Sequence, residues 1–138
     1  MSESEKSVTD VEYYPFPTNN NLPFSAAVRV GNMLYVSGQM GFDDSLKLAD
    51  GGIEGETRQA LANVKAILER HGSSLDRVVK CLVMMADMNE WPAMNAVYVQ
   101  YFTKHLPARS AFGASALAMG GRVEIECVAT VDDTSANS

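Results

Sequence analysis

Apolar residues recur along this chain in two rhythms, and the switches between them mark out the elements. Met1 to Glu12, rich in Ser, Glu and Lys, predicts a frayed tail. Tyr13-Tyr14-Pro15-Phe16-Pro17 predicts an extended segment packed on the body, and Thr18 to Asn21 a polar loop. Ser25 to Val30 and Met33 to Ser37 read as strands joined through Gly31-Asn32, a two-residue loop suited to a tight hairpin. Gly38-Gln39-Met40-Gly41 ends the second strand, and Phe42 to Gly52 is a polar loop. From Glu54 to His71 the period changes. Ala60, Leu61, Val64, Ile67 and Leu68 recur at helical spacing, leaving Glu56, Arg58, Lys65, Glu69 and Arg70 for the wet face. Gly72 supplies the stop.

Beyond it, Val78 to Ala86 is a β-rich apolar run, the pattern of a strand covered on both faces. Asn89 is placed to cap a second helix with Pro92 in its first turn. Trp91, Met94, Tyr98, Tyr101 and Phe102 form that helix's apolar stripe, and Pro107 marks its end. Ala108 to Ala114 and Val123 to Val131 predict the closing strands. In the last one Val123, Ile125, Cys127 and Ala129 take one face, while Glu124 and Glu126 take the other. The fold class is α+β, ordered β-β-α-β-α-β-β over residues 13–131, with both helices on one face of a single mixed sheet. Residues 132–138 predict a second frayed tail. The sheet face without helices carries apolar positions costly to leave in water, so a closed homo-oligomer is expected.

Composition narrows the function more than the fold. At 138 residues and 46% hydrophobic, the chain fits one domain with an ordinary core. Eleven basic against seventeen acidic residues give a net charge of −6, with no electrostatic footprint for nucleic acid or an anionic membrane. No apolar run approaches the roughly 18 residues of a membrane span, and the N-terminal residues lack an apolar signal core, so a cytoplasmic location is expected. Cys81 and Cys127, far apart in sequence, read as buried, reduced, structural thiols. Neither they nor His71 and His105 have ligand spacing, so no metal site is expected. No cofactor motif appears either.

The candidate chemistry is sparse. Arg109 follows a proline where a helix gives way to a strand. Its guanidinium offers a rigid fork that can hold a carboxylate by two parallel hydrogen bonds. Taken alone, such an arginine reads first as a surface ion pair, worth about 0–1 kcal/mol. Glu124 and Glu126 leave one strand face about 6.5–7 Å apart. They could share proton transfer, or simply neutralise Arg109, Arg122 or Lys80. In Ser37-Gly38-Gln39 the glycine permits a close approach of backbone or ligand, or is a plain turn residue.

Several motifs recur in a familiar order and spacing: Val36-Ser37-Gly38-Gln39, the helical Thr57-Arg58-Gln59-Ala60-Leu61-Ala62-Asn63-Val64, Val79-Lys80-Cys81, Asp87-Met88-Asn89, Asn95-Ala96-Val97-Tyr98, Tyr101-Phe102, Pro107-Ala108-Arg109-Ser110 and Val123-Glu124-Ile125-Glu126. With them the chain resembles the Rid family, also called the YjgF or L-PSP endoribonuclease family, from about Pro23 to Val131. The resemblance implies a chorismate-mutase-like fold in a homotrimer with three clefts at the subunit interfaces. For the best-known members it implies hydrolysis of reactive imine or enamine intermediates to 2-oxo acids and ammonia, without a cofactor. In that chemistry the arginine matching Arg109 clamps the substrate carboxylate, and the glutamate matching Glu124 orients or activates the attacking water. Phe24, Gly38, Asn95 and Ala111 stand at substrate-binding positions, Gly38 and Ala111 through nearby backbone groups.

The chain departs from the family pattern at Leu22-Pro23-Phe24-Ser25-Ala26, where the archetypal deaminases carry Gly-Pro-Tyr-Ser-Gln. Phe24 keeps an aromatic wall without the phenolic hydroxyl, and Ala26 removes a further polar group. Ala111 stands where some members have a cysteine, so thiol chemistry at that position is excluded. Two other functions stay open. One is a non-catalytic module that binds a 2-oxo acid or similar small carboxylate. The other is ribonuclease activity, against which the acidic net charge and the lack of a basic aromatic-lined groove speak.

Overall fold

Alternation along the central strands sorts side chains onto two faces, and that sorting builds the fold. The computed structural model describes residues 10–18 and 21–131. Strands β1 (Val11–Tyr14), β2 (Ala27–Val30), β3 (Met33–Met40), β4 (Val78–Met85), β5 (Ala108–Gly113) and β6 (Val123–Thr130) form one sheet in the order β1-β2-β3-β6-β4-β5. Only β4 and β5 pair in parallel; the other neighbours are antiparallel. Helix α1 (Gly52–Arg70) joins β3 to β4. Helix α2 (Trp91–Tyr101) joins β4 to β5, the crossover that a parallel pair requires. This is the expected mixed α+β architecture with one strand added at its start.

One face of the sheet is the core. Leu34 and Val36 of β3, Cys81, Val83 and Met85 of β4, and Val123, Ile125, Cys127 and Ala129 of β6 are buried in one cluster with α1 and α2. Ala60, Leu61, Val64 and Leu68 reach it from α1, and Met94 and Tyr98 from α2. At about 1.5–3 kcal/mol for each large side chain taken out of water, this cluster is the main stabilising term. The opposite face has no helix among the described residues. Tyr35 and Phe112 lie on it 45% and 47% exposed, and Leu82, Met84 and Val128 are only partly covered.

Four details differ from the sequence reading, and a fifth adds a contact between the two buried, free cysteines it expected. Val11 and Glu12, expected in a frayed tail, are paired with Val30 and Arg29 in β1. A short β-rich stretch gains its ladder from a distant strand, which local charge does not reveal; residues 1–9 and 132–138 lie outside the described residues. Glu56 is buried rather than on the wet face. Its carboxylate accepts a 2.8 Å hydrogen bond from the Arg122 backbone N–H and faces the Arg122 guanidinium. The Val78–Ala86 run is a strand covered on one face only, since Val79 and Lys80 are exposed. Asp87, not Asn89, caps the turn before α2, accepting from the Asn89 N–H at 2.9 Å, and the short 3-10 turn Met88–Glu90 precedes the helix. Finally, Cys81 and Cys127 are partners across β4 and β6, with their sulfurs 3.2 Å apart. Contact with Cys81 and burial both raise the Cys127 pKa, so that thiol keeps its proton.

No helix among the described residues is long and apolar enough to cross a membrane.

Candidate functional site

Of the six residues singled out by sequence, Arg109, Asn95 and Ala111 gather on the helix side of the sheet and Glu124 and Gly38 on the other face, while Phe24 lies in the segment before β2. Arg109 lies beside Cys81 in the β4–β5 register, and Ala111 beside Val83. Both neighbours are buried toward the helices, so Arg109 and Ala111 point the same way. Glu124 lies beside Met84 and alternates with buried Val123 and Ile125, so it points to the other face. Arg109 and Glu124 of one chain therefore do not meet.

The Arg109 group is built by α2. Asn95 Oδ1 accepts a 2.8 Å hydrogen bond from Arg109 Nη1. The guanidinium carbon sits 4.8 Å from the centre of the Tyr98 ring and 5.8 Å from that of Trp91. Positions 91, 95 and 98 follow at i, i+4 and i+7, so one helix face supplies all three contacts. Beside them opens a cleft of about 380 Å³ lined by Asn95, Tyr98, Val99, Leu106, Pro107 and Arg109. A wider hollow of about 690 Å³ lies on the far side of Leu106-Pro107 and includes neither Arg109 nor Asn95. Among the described residues no carboxylate pairs with Arg109. The surface-ion-pair reading of this residue is thereby removed.

Tyr98 was expected only as core. Its ring is core, but its hydroxyl is buried without a hydrogen-bond partner among the described residues. Burial, then the adjacent Cys81 thiol, raises its pKa above the ordinary phenol value.

The Glu124 group is built by a bulge. Val36 pairs with Cys127 and Gln39 with Ile125, so Ser37 and Gly38 together oppose the single residue Glu126. The Ser37 hydroxyl donates to Ser25 O at 2.6 Å, and Gln39 Nε2 donates to Ser37 O at 3.0 Å, fixing the distortion. The glycine has a specific reason. A Cβ on Gly38 would overlap the Glu124 carboxylate, which packs directly against the backbone there. Asn63 of α1 holds the end of β3, donating to Met40 O at 3.0 Å and Phe42 O at 2.9 Å.

Glu124 is half-buried. Burial, then the like charge of Glu126, raises its carboxyl pKa above the ordinary value. Among the described residues no cation pairs with it, so the expected neutralisation of this pair by Arg109, Arg122 or Lys80 is not found; Arg122 is engaged with Glu56 and Glu90.

Phe24 lies just before β2, which three strands separate from β5, and is 53% exposed with an edge-to-face contact to Phe16 at 5.8 Å. It precedes Ser25, whose carbonyl accepts from the Ser37 hydroxyl next to Gly38. Ala26 faces the core and is fully buried, offering its N–H to Tyr14 O and its C=O to the Ser37 N–H.

The contribution of Trp91 was missed by the sequence reading. The i, i+4, i+7 spacing with Asn95 and Tyr98 carried the signal, masked because Trp91 and Tyr98 read equally well as an apolar stripe.

Known proteins share this frame. A 2-iminobutanoate/2-iminopropanoate deaminase of Capra hircus is 47% identical over 108 residues, covering 78% of this chain and 79% of the relative. The Homo sapiens protein of the same name is 44% identical over 108 residues, with the same coverage of 78% and 79%. Among solved structures, RidA from an Antarctic Psychrobacter superposes with a TM-score of 0.77 at 35% identity, covering 91% of this chain and 100% of that one. YyfA of the Rid family from Yersinia pestis gives 0.78 at 35% identity, covering 91% and 98%. The family described as Endoribonuclease L-PSP matches residues 18–131, and the chain belongs to that family.

Proposed function

We propose that this protein is a hydrolytic deaminase of small 2-imino acids, acting in clefts between the subunits of a homotrimer. The observation that carries the reading is the pair of unmatched charges. Arg109 is a half-buried cation without an anion, and Glu124 a half-buried carboxylate without a cation, on opposite faces of one sheet. A second copy of the chain, docked against the uncovered sheet face, would bring Glu124, Gly38 and Phe24 of one subunit toward Arg109, Asn95 and Ala111 of the next. The names of the relatives at 44–47% identity support the choice of chemistry.

The chemistry asks little of the protein. The C=N carbon of a 2-imino acid is already electrophilic, so positioning, a carboxylate anchor and a placed water suffice. Arg109 holds the substrate carboxylate through its in-plane N–H donors. Glu124 takes a proton from the water as its oxygen bonds to C2, and the C=N electron pair moves onto nitrogen. That proton passes to the nitrogen to give a carbinolamine. Glu124 then takes the proton of the new hydroxyl and delivers it to the nitrogen as the C=O forms and the C–N bond breaks, releasing ammonia and a 2-oxo acid. A carboxyl held above its ordinary pKa is the better suited to take and return that proton near neutrality.

Iminopropanoate or iminobutanoate generated by an amino-acid oxidase tests the reading directly. Wild type is expected to accelerate loss of the imine, and Arg109→Ala to abolish most of that gain. No acceleration above the uncatalysed rate would overturn the assignment. Tight binding of 2-oxobutanoate without turnover would instead support a binding module, for which the missing hydroxyl at Phe24 is the motive.

A further inference from the structure

Resting on the proposed function, we infer that Trp91 and Tyr98 are positioning residues that orient the Arg109 guanidinium while leaving its charge free for the ligand. An arginine side chain is long and flexible, and one that must close on a small carboxylate loses rotamer freedom in doing so. The common way to hold it is an ion pair with Asp or Glu. That solution neutralises the cation and places a competing carboxylate beside the substrate's. Here the holding groups are different in kind. Two aromatic rings lie against the guanidinium at 4.8 and 5.8 Å, and a single neutral acceptor, Asn95 Oδ1, takes one N–H.

Ring contact of this type engages the π-face of the rings and leaves in-plane donors of the guanidinium available. Asn95 fixes rotation about the long axis with one hydrogen bond. The remaining N–H groups have no partner among the described residues, and Arg109 lines the cleft with Val99, Leu106 and Pro107. The three holding residues stand on one face of α2, so the helix sets the orientation of the arginine as a unit. The two rings differ in how firmly they are held. Tyr98 is 4% exposed and anchored in the core, whereas Trp91 is 37% exposed and is free to be changed without opening that core. Lysine at position 109 could not use this cradle, because an ammonium lacks the planar surface that packs on the rings.

Trp91 also supplies the readout, since it is the single tryptophan of the chain. Titrating the full-length protein with 2-oxobutanoate is expected to shift Trp91 emission saturably, and Arg109→Ala to remove the response. Trp91→Leu is expected to raise KM for the imine, and the Kd of 2-oxobutanoate by calorimetry, by about three- to ten-fold, the larger part of the effect lying in KM rather than kcat. Trp91→Phe, which keeps a ring, is expected to recover most of that loss. Affinity and KM that stay at wild-type values in folded Trp91→Leu would overturn the inference while leaving the deaminase reading intact. So would binding by calorimetry with no change in tryptophan emission. Absence of both binding and turnover in the wild type would overturn the two together.

Discussion

The edge of the sheet at β5 and its centre at β3 and β6 each hold a charged side chain of the proposed site, built by opposite means. At the edge, a helix presents two rings and an amide to a cation on the core-facing side of the strand. At the centre, a backbone bulge strips a side chain from position 38 and lets a carboxylate lie against the main chain on the other side. Neither charge has an ionic partner among the described residues. A structural ion pair would have joined them, because an unpaired half-buried charge costs stability. Keeping both unpaired on opposite faces makes sense where each meets its counterpart from outside the chain.

The sharpest way to break this comparison is to remove one half at a time. Glu124→Gln is expected to lower kcat by about 10²–10⁴-fold with the protein still folded, the range for losing a general base. Arg109→Ala is expected to lower kcat/KM by roughly 10²–10³-fold, chiefly through lost carboxylate anchoring. Both follow from imine loss in the oxidase-coupled assay. Mixing the two inactive variants after dissociation and reassembly then asks whether the halves come from different chains. If they do, random assembly of equal amounts restores roughly a quarter of the intact sites. If activity stays at the level of the separate variants, the site is not shared between subunits.

Gly38→Ala sharpens the second half. The backbone at Gly38 is not in a left-handed conformation, so the added methyl acts on Glu124 rather than on the chain. Displacing the carboxylate by about 1 Å is expected to cost on the order of 10²-fold in kcat. An unchanged rate would show that contact with residue 38 does not place the carboxylate.

The smallest effect concerns pH. Glu124 has a raised pKa in the fold, so the carboxylate needed for proton abstraction is lost as pH falls through that raised value. The acid limb of kcat/KM should therefore lie above the ordinary carboxylate range. Glu126→Gln removes the like charge, the smaller of the two causes, and should move the limb down without returning it to the ordinary carboxylate range. For stability the sign is the reverse of a salt-bridged acid. The folded chain keeps a proton that the unfolded chain has released, so the contribution falls as pH rises from 4.5 to the raised value.

Much of the frame was legible in the sequence because it is local. The period of Ala60, Leu61, Val64 and Leu68 fixes α1, and the alternation of β6 separates Glu124 from the core. What was not legible depends on pairing over distance. Glu56 looks like a solvent-facing residue until Arg122, 66 positions later, is seen to cover it. Cys81 and Cys127 look isolated until β4 and β6 lie side by side. The family resemblance implies a site shared by Arg109 and Glu124, but the sequence between them cannot say that the two point apart. That follows only once β4 is inserted between β5 and β6 and the phase of each strand is counted through it.

The contact between Gly38 and the Glu124 carboxylate also bears on how the two positions can vary over evolutionary time. A methyl at 38 would push the Glu124 carboxylate out of the place it occupies here. A lineage that keeps the acid in this position is favoured to keep the glycine, whereas a shorter residue at 124 releases 38 to drift. Among relatives, side chains at position 38 should therefore accompany replacement of the acid, and a larger residue at 38 would mark a homologue whose chemistry has changed.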